Sequence, residues 1–126
     1  MESQLDYELV GRMIYGFNRV KGDFDSFCRG LEQRAGEQGA HPFNLETPVR
    51  ELAERTVPLL SKHYGAGSMI VNQFNEVSDI MAAGEVWFNQ MKELGLAVCL
   101  PDVAQTARVL SCQQKLSHIR QLMNAA

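Results

Sequence analysis

The chain has little of what announces chemistry. Its three cysteines, Cys28, Cys99 and Cys112, lie far apart and make no Cys-x-x-Cys pair. Neither a zinc ribbon nor a disulfide framework is readable in them. None of the three histidines, His41, His63 and His118, follows an acid by three residues. That removes the Glu-x-x-His pairs by which helical bundles hold two metal ions. A Cys-x-x-Cys-His haem attachment is missing too. Gly65-Ala66-Gly67-Ser68 precedes a helix start, but it lacks the preceding strand and the third glycine or Lys-Ser/Thr pair of a phosphate loop. These absences predict a chain that is not an enzyme, with no catalytic residue, no metal and no cofactor.

Positive charge is also scarce. Lys and Arg number 12 against 15 Asp and Glu, a net charge of -3, whereas duplex binders usually carry a basic face. A nucleic-acid partner is not expected. No stretch approaches the 18 or so apolar residues that span a bilayer, so no membrane association is expected. The opening residues, Met1-Glu2-Ser3-Gln4-Leu5-Asp6, are acidic and lack the apolar stretch of a signal peptide. Together with the unmatched thiols this predicts a reducing, cytoplasmic setting. Cys99, in an apolar connector, is the thiol with the best prospect of access.

What the sequence does have is apolar spacing. With 45% hydrophobic residues in 126 positions, it has the material for one domain with its own core. Val10, Met13, Phe17, Val20, Phe24, Phe27 and Leu31 alternate steps of three and four, which predicts a first helix over about 3–35. Gly22-Asp23 marks a position where it could break. Residues 36–46 carry two Gly, a Pro and an Asn and read as a loop. Thr47-Pro48 reads as cap and first residue of a second helix over 47–64, with Val49, Leu52, Ala53, Thr56, Leu59 and Leu60 inward. Pro58 is expected to kink it, and Gly65 to end it. Ser68 caps a third helix over 68–94, with Ile70, Phe74, Val77, Met81, Gly84, Phe88 and Met91 on one seam. Ala82-Ala83-Gly84 is a small-residue notch for a close neighbour. After the connector 96–100, Pro101 opens a fourth helix over 101–124, with Val109, Cys112, Leu116, Ile119 and Met123 inward.

The expected fold is therefore all-α: a four- to five-helix bundle, mostly antiparallel, in a single domain over 1–126. The acidic third helix (Glu76, Asp79, Glu85, Glu93) and the basic fourth (Arg108, Lys115, Arg120) should pair. The first helix is much longer than the second. Either it breaks near Gly22, or its end projects and must be covered, because large exposed apolar patches are rare on monomers. That mismatch favours a small non-enzymatic protein-binding module: an adaptor, an assembly or secretion chaperone, or an inhibitor of a larger protein. It would dock apolar helix faces on another protein or on its own copy as a homodimer. Phe24, Phe27 and Leu31 are the expected anchors, with Phe43 and Trp87 secondary. The alternative is a DNA-binding transcriptional regulator with a helix-turn-helix-like pair in helices two and three. Its reading helix would present Met69, Asn72, Gln73, Asn75 and Glu76, with no base among them.

Overall fold

A computed structural model describes residues 7–34, 47–95 and 100–125. Four helices account for most of them: α1 (Tyr7–Arg34), α2 (Val49–Tyr64), α3 (Met69–Leu94) and α4 (Val103–Ala125). α1 is one helix of 28 residues through Gly22, so the five-helix alternative does not arise. Its seam is unbroken there, and Val20 and Phe24 on either side are both buried.

The helix ends show which local rules operate. The Ser68 hydroxyl accepts from the Val71 N–H, the expected cap of α3. Gly65 and Gly95 follow α2 and α3 with φ of 97° and 89°, a region that favours glycine. α4 starts two residues later than Pro101 suggests, because Asp102 is its cap and its carboxylate accepts from the Ala104 N–H at 3.0 Å. α2 departs most from expectation. Its cap position is Pro48, which has no side-chain bond to offer. The Val49 N–H donates instead to Glu85 of α3 at 3.1 Å. Pro58 lies inside α2, with the helix continuing through it.

Contacts between helices fix their directions. Phe17 stacks on Phe88 and Phe24 on Phe74, so α3 runs opposite to α1. Gln105 meets the Ala83 carbonyl and Lys115 meets Glu76, so α4 runs opposite to α3. Gly16 faces Leu110, and Arg120 lies over the Phe27 ring, so α4 runs parallel to α1. Glu85 ties the start of α2 to Lys21, and Arg55 farther on reaches Glu32, so α2 is also parallel to α1. The helices therefore run up, up, down, up. The antiparallel expectation holds for α2, α3 and α4 and is corrected for α1, which is parallel to both its flanking neighbours. The fourteen-residue connection 35–48 between α1 and α2 makes this feasible: extended, it reaches at most about 50 Å, enough to return the chain along the bundle.

In cross-section, α2 and α4 flank the α1–α3 pair on opposite sides and do not touch each other. The core is apolar and aromatic. Phe24 and Phe27 both stack on Phe74, with centroids 5.4 and 5.6 Å away. Val49, Leu52 and Leu60 close it from α2, and Val109, Leu116 and Ile119 from α4. The acidic α3 serves three neighbours rather than one: Glu76 pairs with Lys115 of α4, Asp79 with Arg50 of α2, and Glu85 with Lys21 of α1.

The notch at Gly84 is where helices approach closely. A methyl group there would lie 3.0 Å from Val109 Cγ2 and 3.3 Å from Phe17 Cδ2. Both neighbours are buried and cannot swing aside. Gly22 has open space around its missing side chain. Two substitutions of the same chemistry should therefore differ in sign. Gly22→Ala should raise unfolding stability by up to about 1 kcal/mol, the helix-propensity gain. Gly84→Ala should lower it by about 1 kcal/mol, because overpacking outweighs that gain. Urea unfolding of the two variants measures both.

Candidate functional site

The expected anchors are core residues. Phe24, Phe27, Leu31 and Trp87 are each exposed by 7 % or less. The projecting stripe expected at the far end of α1 is corrected accordingly: α2 and α3 cover it from one side and α4 from the other. Phe43 and Cys99 lie outside the described residues. Cys28 and Cys112 are buried, as small apolar side chains usually are.

The face of α1 toward α2 is unusual for a bundle interior. It buries Lys21, Asp25 and Glu32 beside Cys28. Those residues recur at steps of three and four, so they form one strip along the helix. Each charge has a partner. Lys21 Nζ is 2.9 Å from Glu85 Oε2, Asp25 Oδ2 accepts from Arg29 at 2.8 Å, and Glu32 accepts from Arg55 Nε and Nη2 at 2.9 and 2.6 Å. Asp25 Oδ1 is buried with no hydrogen-bond partner among the described residues. Glu85 is the hinge point of the strip, since its carboxylate neutralises buried Lys21 and also caps α2. A carboxylate at a helix N-terminus gains from both the free N–H groups and the helix dipole.

The strip offers no catalysis by its thiol. Burial pushes the Cys28 thiol up to about 12, and neighbouring Asp25 and Glu32 add to that, outweighing the Thr56 hydroxyl and Arg55. Cys112 is pushed up to about 11, again chiefly by burial. Both are held as thiols, the unreactive form. Among the described residues no cluster of three or more His, Cys, Asp or Glu is placed to hold a metal ion. None of their helices is long and apolar enough to cross a membrane.

The exposed apolar surface lies elsewhere. Because α1 and α4 are parallel and α3 opposes them, the start of α1, the end of α3 and the start of α4 share one end of the bundle. α2 does not reach it. At 16 residues it is about 24 Å long against about 42 Å for α1, and its first residue is level with Lys21. Toward this open end Tyr7, Tyr15 and Val103 are exposed by 75, 70 and 68 %, and Leu94 and Leu100 by more than half, while exposed Val86 lies level with the start of α2. Only Met69 and Leu110 complete the large hydrophobic side chains exposed among the described residues. Half-buried Phe88, stacked on Phe17 at 5.1 Å, lies in the same half of the bundle, with Lys92 Nζ 5.0 Å above its ring. Periodicity could not find this surface, because Tyr7 and Tyr15 lie off the seams. It becomes visible only once the helix directions are known.

The α2–α3 pair lies side by side from its Gly turn to Val49 and Glu85. A helix-turn-helix instead crosses its two helices steeply. Comparison with known proteins adds no assignment: no family model, no curated protein and no solved structure matches the chain.

Two measurements check the strip. Glu85→Gln should cost about 2–4 kcal/mol, because it breaks the buried ion pair with Lys21 and weakens the cap on α2. Amide exchange in the first turn of α2 should accelerate more than elsewhere. In the native protein at pH 8, Cys28 should resist iodoacetamide, because burial holds it as the thiol. Under denaturant it should react within minutes, read by mass spectrometry.

Proposed function

We propose that the protein is a small non-enzymatic helical binding module that docks a protein partner, either another protein or a second copy of this chain, on the open end of the bundle. One observation carries the reading. Of the large hydrophobic side chains exposed among the described residues, Tyr7, Leu94, Leu100 and Val103 lie at the end shared by α1, α3 and α4, with Tyr15 two turns farther along α1, and only Met69 lies at the opposite end. Tyrosines suit such a role, because a large rigid ring contributes contact area at small entropic cost. The adaptor, chaperone and inhibitor roles all use this docking step. The DNA-binding alternative would use the exposed face of α3 at Met69, Asn72, Asn75 and Glu76, which carries no base.

A photo-crosslinker placed at Tyr15 in the native cell tests the proposal, with one at Lys62, exposed on α2 near the opposite end, as control. The expected result is a discrete protein adduct from position 15 and none from position 62. An adduct of twice the chain mass identifies the second copy as partner. Adducts equally from both positions, or from neither, would overturn the proposal. Tyr15→Asp should abolish the adduct of a crosslinker at Val103 while leaving the circular dichroism spectrum unchanged. Phe24→Asp should unfold the chain, since it places a charge at a site with no exposure.

A further inference from the structure

The opposite end of the bundle holds a cavity of about 270 Å³ between the last turns of α1 and α4. Its floor is apolar: Phe27, Leu31 and Met123, all buried. Its rim is polar. Arg34 and Arg120 line it together with Ser26 and Asn124, and among the described residues no acidic side chain does. Arg120 is held in place by its own contact, with the guanidinium 5.6 Å from the Phe27 ring centroid. Among the described residues neither arginine has a carboxylate partner. The neighbouring charges are already engaged, Asp25 by Arg29 and Glu32 by Arg55.

We propose that this cavity binds a small organic anion, an oxyanion group on a compact apolar body. The two guanidiniums supply paired N–H donors whose fork matches a carboxylate or a phosphate. Ser26 and Asn124 supply further neutral donors. The aromatic and aliphatic floor receives the body. Volume limits its size: 270 Å³ is the space of about nine waters and lies just below the range that holds drug-sized ligands. A single-ring acid or phosphate ester fits that space. Arginines near helix C-termini also stabilise the helix dipole without any ligand, and that simpler role would require no cavity between them.

The test is a titration of the full chain followed by amide NMR, with four probes: benzoate, phenyl phosphate, inorganic phosphate and benzyl alcohol. Saturable shifts in the millimolar range are expected with benzoate or phenyl phosphate. They should centre on Ser26, Gly30, Leu31, Arg120 and Asn124. Arg34→Gln and Arg120→Gln, both at exposed positions, should each weaken binding about ten-fold with the fold intact. Equal binding of benzyl alcohol would overturn the role of the anion. Equal binding of inorganic phosphate would overturn the role of the apolar body. No saturable shift with any probe, or shifts indifferent to both substitutions, would overturn the site itself.

Discussion

The structure depends on one mismatch of length. α1 runs the height of the bundle, and α2 covers only its upper part. Where α2 is present, α1 buries both an aromatic seam and a strip of paired charges. Where α2 is missing, α1 relies on α3 and α4 alone, and tyrosines stand in solvent. The exposed side chains at the open end, the buried charges and the aromatic core all follow from where α2 begins.

That starting point is set by a single carboxylate. Pro48 has no side chain able to cap α2, so the helix takes its cap from Glu85 across the interface. The same carboxylate forms an ion pair with Lys21, which is 4 % exposed. Polar contacts of this kind add little net stability compared with apolar packing, but they are demanding about geometry. The apolar stacking of Phe24 and Phe27 on Phe74 supplies cohesion. The Lys21–Glu85–Val49 contact specifies how far along α1 the second helix sits.

Much of this was legible in the residues themselves. Seams of three and four located all four helices, and Ser68, Gly65 and Gly95 marked their ends. The small-residue notch at Gly84 does admit Phe17 and Val109. Asp102 is a local cap signal masked by Pro101 beside it, which also reads as a helix start. The cap from Glu85 left no local signal, since it joins residues 36 apart. The direction of α1 was equally hidden: a fourteen-residue connection permits either sense, and only the pairing of Gly16 with Leu110 and Phe27 with Arg120 decides it. The anchors were misplaced for the same reason. Phe24, Phe27 and Leu31 look surplus if α1 projects beyond its neighbours, and become core once α2 and α4 lie alongside that half. The mismatch was read correctly from the sequence, but its uncovered part lies at the other end of α1.

The parallel packing of α1 and α4 brings Tyr7, Leu94 and Val103 to one end. Distances between paired spin labels test it most directly, with Cys28, Cys99 and Cys112 replaced by Ala. Labels at Tyr7→Cys and Val103→Cys should lie within about 20 Å of each other, and labels at Tyr7→Cys and Asn124→Cys about 30 Å or more apart, the length of α4. The reverse pattern, with residue 7 near 124 and far from 103, would contradict it.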